Sequence, residues 1–128
     1  MKSAVKLSLT ALLVLSLVGA AVAAAITVKV NGTTVRNKVA PFTRHNTQFV
    51  QIEPVCKAAK VDYKYDKAAG QVTLCYGDKC TAFKIGEGPK DAYLKNGEPT
   101  AAYKVLAQKL AGTATYNADA GVISFTIN

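Results

Sequence analysis

Apolar residues along this chain follow two rhythms. Ile52, Val55, Cys56 and Ala59 stand at i, i+3, i+4 and i+7, the stripe of an α-helix that buries one side. Tyr103, Leu106, Ala107 and Leu110 take the same steps 51 residues later. Behind each stripe the rhythm shifts to every second residue. Val61 to Tyr65 and Gln71 to Cys75 flank a segment with Asp66 and Gly70, and Thr113 to Tyr116 and Val122 to Ile127 flank one with Asn117 and Gly121. Alternation on both sides of Asp/Asn and Gly reads as a β-hairpin, because those residues tolerate the turn conformations. The pattern predicts helices from about Glu53 to Ala59 and from about Ala101 to Ala111. Pro54 suits a first turn, where its missing N–H costs nothing, and Gly112 stands where a C′ residue ends a helix.

The remaining pattern is strand and turn. Ile26-Thr27-Val28-Lys29-Val30 alternates, Asn31-Gly32 is a strong hairpin signal, and Thr33-Thr34-Val35 is its return strand. Asn37 to Gln48 is polar with Pro41 and reads as a surface loop, leading to a short strand at Phe49-Val50. Tyr76-Gly77-Asp78-Lys79 turns the chain into a strand on which Thr81, Phe83 and Ile85 face inward, and Gly86-Glu87-Gly88-Pro89 breaks it. Ala92-Tyr93-Leu94 is a short strand and Lys95-Asn96-Gly97-Glu98 a turn. The expected fold is α+β: one small domain with an internal duplication of helix plus β-hairpin, two helices packed on mostly antiparallel sheet, with halves of about 26–85 and 86–128.

The first 25 residues stand apart. A basic start at Lys2 and Lys6 precedes an apolar run from Leu7 to Val22 that ends in Ala21-Val22-Ala23-Ala24-Ala25. Basic start, apolar middle and small-x-small exit make a secretory signal peptide over 1–25, with the domain over 26–128. A membrane anchor is the competing reading of such a run, but it ends in Ala-x-Ala and not in a basic stop. The mature chain is expected to be exported, periplasmic or extracellular, with no membrane span.

Three cysteines in an exported chain leave one over. Val72 and Leu74 point inward on one strand, so Cys75 points out. Thr81, Phe83 and Ile85 point inward on the next, so Cys80 also points out. The pair shares a face at the mouth of a four-residue loop, which predicts a Cys75–Cys80 disulfide. Cys56 lies in the helix stripe where the second stripe has Ala107, the place of a small buried apolar residue.

Loss of Lys2 and Lys6 takes the formal charge from +8 to +6. A basic protein suits an acidic neighbour such as an anionic polymer, a lipid headgroup or an acidic protein face. All but two of the 16 basic residues are Lys, and there is no Trp. With export, this argues against nucleic acid. Lys57, Lys60 and Lys64, at helical steps, are the expected contact face.

Catalytic chemistry is thin. A hydrolase triad needs nucleophile, His and acid, whereas Ser124 is the only Ser after the leader and sits in an expected strand. His45 is the only His and lies in the polar loop. The acids Glu53, Asp62, Asp66, Asp78, Glu87, Asp91, Glu98 and Asp119 fall mostly in turns and caps. A structural zinc site takes about four ligands, and only the cysteines and His45 could supply them. The expectation is no catalytic residue, no metal and no cofactor.

The order helix, Tyr65-Asp66-x-x-x-Gly70, Val72-x-Leu74, preceded by Val28-Lys29-Val30-Asn31-Gly32 and Pro41-Phe42, resembles the copper amine oxidase N-terminal-like domain, also called a stalk domain. The resemblance covers about Ile26 to Ile127. Members usually carry Asn-Gly-Arg-Thr-Leu-Val-Pro-Leu-Arg ahead of the first helix. Here His45-Asn46-Thr47-Gln48-Phe49-Val50-Gln51-Ile52-Glu53 keeps the pattern without the Arg and Pro. The resemblance reaches only a non-catalytic domain. The oxidase core needs several His ligands and a Tyr in a Thr-x-x-Asn-Tyr-Asp/Glu setting, and Thr115-Tyr116-Asn117 has that order reversed.

These readings converge on a non-enzymatic exported binding or interaction domain at the bacterial cell envelope, contacting an anionic envelope polymer or an exported protein. A structural protein that self-associates through β-edges is the alternative.

Overall fold

The structure, a computed structural model, describes residues 25–128; the expected leader lies outside them except for Ala25. Eleven strands and two helices follow in the order β1 (Thr27–Val30), β2 (Thr33–Val35), β3 (Phe42–Arg44), β4 (Thr47–Gln51), α1 (Ile52–Ala58), β5 (Asp62–Asp66), β6 (Gln71–Tyr76), β7 (Lys79–Lys84), β8 (Tyr93–Lys95), β9 (Glu98–Ala102), α2 (Tyr103–Lys109), β10 (Thr113–Asn117) and β11 (Val122–Thr126). They build three sheets, ordered β10-β11-β1-β2, β3-β4-β9-β8 and β5-β6-β7.

This corrects the expected α+β duplication. Strands take 50% of the described residues and helix 13%, so the domain is mostly β. Two misread stretches account for the difference. Asn37 to Gln48 is not all loop: β3 pairs with β4 as Phe42↔Phe49, Thr43↔Gln48 and Arg44↔Thr47. Thr100, Ala101 and Ala102 belong to no helix but to β9, paired as Gln51↔Thr100, Val50↔Ala101 and Phe49↔Ala102. Alanine's helix propensity is a weak prior that tertiary pairing overrides. Each helix keeps only seven residues, too few to stand without packing. Nor is helix plus hairpin the whole unit of organisation, since β3, β4, β8 and β9 build a sheet of their own beside the two hairpins.

The hairpins otherwise run as read. Asn31-Gly32, His45-Asn46 and Asn96-Gly97 are two-residue turns with positive φ at both positions, the type I′ geometry that matches strand twist. Asp66 and Asn117 each accept a bond from the backbone N–H three residues on, at 3.1 and 3.0 Å. β1 joins β11 in parallel, Thr27↔Val122 to Val30↔Phe125, so the first strand completes the sheet of the last hairpin.

The main core lies between the helices and sheets. Val28, Val50, Ile52, Val55, Cys56, Val72, Leu74, Leu106 and Ile123 are fully buried there, with Phe83 and Phe125 almost so. Successive residues of β4 serve opposite faces. Val50 enters this core, while Phe49 stacks on the other face with Phe42 and Tyr93, at centroid distances of 5.7 and 6.5 Å.

The end of α2 departs from expectation. The left-handed residue is Ala111, at φ 56°, not Gly112. Gly112 is small for another reason: a Cβ there would run into the Thr126 carbonyl oxygen. Lys60 has the matching left-handed place after α1, at φ 62°.

Candidate functional site

Between β2 and α1 runs an open cleft of about 440 Å³, lined by Thr34, Val35, Arg36, Lys38, Gln51, Glu53, Pro54, Lys57 and Ala58. One buried side chain positions its far wall. Gln51 ends β4 with 2% of its surface exposed. Its Oε1 accepts from the Lys38 N–H at 2.8 Å and the Val39 N–H at 3.1 Å, and its Nε2 donates to Glu98 Oε1 at 3.2 Å. A buried amide must satisfy both ends. Here that requirement clamps the strap between β2 and β3 over the start of α1.

The cleft carries three cations against one acid. Lys57 Nζ stands 3.5 Å from Glu53 Oε2 along the helix, and Lys38 Nζ stands 3.8 Å from Glu98 Oε2. Lys57 and Lys38 are 73% and 79% exposed, so these pairs are weak, about 0–1 kcal/mol each, and leave both ammonium groups open to a ligand. Arg36 makes no ion pair among the described residues.

The expected lysine face does not lie on one helix. Lys57 is exposed on α1 and lines the cleft, Lys60 sits in the turn after it, and Lys64 is exposed on β5. Helical spacing fails because α1 ends at Ala58. Arg36 and Lys38 were not singled out in the sequence, because nothing linear tells that the strap folds back beside α1.

A second polar cluster covers Phe49. The Arg44 guanidinium lies 3.9 Å from the Tyr93 ring centroid and 5.6 Å from that of Phe49. Its Nη2 donates to the Glu87 carbonyl at 2.9 Å and pairs with Glu87 Oε1 at 3.1 Å. His45 Nε2 lies 3.0 Å from the same carbonyl. Stacked and hydrogen-bonded, with 17% of its side chain exposed, Arg44 fastens the 86–91 loop to the sheet. His45 is thus a turn residue that touches this loop.

Cys75 and Cys80 face each other in the β6–β7 register and form the disulfide read from the alternation, with Cα atoms 4.0 Å apart. Cys56 is a free thiol buried in α1. Burial, and after it the charge of Glu53, push its pKa up to about 12 from an ordinary 9.0. The thiolate that reactive cysteines need is therefore scarce at neutral pH. Ser124 lies on β11 and His45 on the β3–β4 turn, in different sheets.

Among the described residues no group of three or more His, Cys, Asp or Glu could hold a metal ion. The donor set does not fit copper either. Imidazole suits that metal, and the chain has one His.

Residues 29–125 match the copper amine oxidase N-terminal domain. The match spans most of the chain, and the protein belongs to that family, whose domain in copper amine oxidases is non-catalytic. No curated protein and no solved structure matched the chain.

Proposed function

We propose that this is a non-enzymatic exported binding domain of the bacterial cell envelope, and that it engages an anionic envelope polymer or an exported protein through the cleft between β2 and α1. The observation that carries this reading is the charge of the cleft: Arg36, Lys38 and Lys57 converge on one open site with Glu53 in its lining and Glu98 beside Lys38. Opposite charge at such a site raises the local concentration of an anionic ligand and its rate of capture. The basic balance of the chain and its membership of a family of non-catalytic domains support the same conclusion.

Retention of the purified 26–128 chain on its host's envelope fraction tests it, at low and at high salt. Retention that falls at high salt and in the R36E/K38E variant is the expected result, because exposed charges are screened within about 8 Å at physiological salt. Retention unchanged by both would overturn the cleft as the contact surface.

Self-association through strand edges is the second reading, favoured by β7, a six-residue strand at the rim of its sheet. Light scattering across a concentration series checks it; a strict monomer at high concentration removes it.

A further inference from the structure

We propose that β2 is a docking edge for an extended acidic peptide, which adds as a further strand beside β2 and lies in the cleft against α1. This rests on the reading of the cleft as the contact surface and names the chemistry of its occupant.

β2 is the outermost strand of the sheet β10-β11-β1-β2. Its hairpin with β1 turns through two residues, so Val30↔Thr33, next to the turn, is the pair that exchanges both backbone bonds. The neighbouring pair, Lys29↔Thr34, is then the non-bonded one, and the Thr34 N–H and C=O point away from β1. Arg36 follows β2 directly, at the start of the strap. No backbone bond from Thr34 or Arg36 to a turn or loop occurs among the described residues. Both residues line the cleft. The open edge therefore faces the place where a ligand would lie.

Edge strands invite pairing, and proteins usually block them with proline, inward charge or a covering element. β2 is Thr33-Thr34-Val35, which is short and packs beside α1 but carries neither proline nor charge, and both threonines are exposed. At about 3.3 Å per residue it offers about 10 Å of edge. Across from it α1 presents Glu53, Pro54, Lys57 and Ala58. A strand in this trough places alternate side chains over Val35, Pro54 and Ala58, which are apolar. Backbone bonds to an edge give affinity, and pockets for alternate residues give specificity. Arg36, Lys38 and Lys57 select carboxylates, so the occupant is an acidic peptide with small apolar residues at every second position.

A blocked peptide of alternating glutamate and valine is the probe, titrated into the 26–128 chain and followed by backbone amide spectra. Two derivatives carry N-methyl groups on alternate valine amides in one and alternate glutamate amides in the other. Polygalacturonate, a linear polyanion without amides, is the control. Shifts centred on β2, the strap and α1 are expected, with slowed exchange of the Thr34 amide. Methylation of one alternate set should weaken binding about tenfold, and that of the other set should be tolerated, because only one set faces the strand. R36E should weaken the parent peptide while leaving the spectrum folded. If both methylated peptides bind like the parent, or both lose binding equally, strand addition is wrong, whatever polygalacturonate does. If polygalacturonate alone shifts the cleft, the docking edge is wrong and the anionic cleft stands. If neither probe shifts it, both readings fall.

Discussion

Asn31 and Ile127 hold each other by a reciprocal pair of hydrogen bonds. Asn31 Nδ2 donates to the Ile127 carbonyl at 2.8 Å, and the Ile127 N–H donates to Asn31 Oδ1 at 2.8 Å. The residues lie 96 positions apart. Asn31 also holds the left-handed place of its turn at φ 50°. One side chain thus fixes the first turn and the last strand.

Asn31→Asp keeps the acceptor and loses the donor, while Asn31→Gly keeps the turn and loses both bonds. Each neutral bond contributes about 0.5–1.5 kcal/mol. Urea denaturation should show Asn31→Gly about 1–3 kcal/mol less stable. Asn31→Asp should be destabilised as well, since its carboxylate faces the Ile127 carbonyl.

The end of α2 yields two substitutions of opposite sign. Ala111 holds a left-handed φ that costs an L-residue about 1–2 kcal/mol, so Ala111→Gly should stabilise by up to about 1 kcal/mol after the entropic cost of glycine. Gly112→Ala should destabilise, because the new Cβ would meet backbone at Thr126, which cannot swing aside. Thermal melts of the two variants should move in opposite directions.

Reduction of Cys75–Cys80 should lower stability without unfolding the domain. The loop it closes is short, and the chain-entropy model gives about 2 kcal/mol for such a loop. The β6–β7 register continues on both sides of the pair, so the sheet persists. A lower melting temperature with an unchanged far-ultraviolet spectrum is the expected result in reductant.

Cys56 makes stability fall in alkali. Its native pKa is raised to about 12 against an ordinary 9.0. Below pH 9 both folded and unfolded chains keep the proton, and the contribution is fully present. Between about 9 and 12 the unfolded chain loses the proton while the native chain retains it, so stability falls as pH rises. Tyr63 is shifted upward too, first by burial and then by the charge of Glu53, and adds to the same slope at higher pH. Cys56→Ala should flatten the profile between 9 and 11. Native protein should resist iodoacetamide at pH 8, and urea-unfolded protein should react.

Much of this was legible in the sequence, and the gaps have physical causes. The hairpins were readable because Asn-Gly and the Asp66–Gly70 segment state their own turn chemistry. The disulfide followed from the alternation on β6, where Val72 and Leu74 are buried, and from Phe83 buried and Cys80 exposed on β7. β3 was missed because it has three residues and turns through His45-Asn46, a type I′ turn without glycine. β9 was missed because only Thr100 in Pro99-Thr100-Ala101-Ala102 favours a strand, and the segment is held by β4. The cleft was only half visible. Lys57 was picked out, but Arg36 and Lys38 reach it through the Gln51 clamp, a buried amide bond between segments that linear spacing does not report.

The parallel pairing of β1 with β11 bears on how the domain comes into being. Thr27 finds Val122, 95 residues away, and nearly the whole chain must be present before that contact exists. The β1–β2 hairpin is made early in synthesis and has to wait for its neighbour. A contact of such long range carries a high loop-closure cost and slows folding. A chain still emerging from the ribosome therefore cannot lock shut. It stays open until its last strand is delivered, and then closes as a single late event.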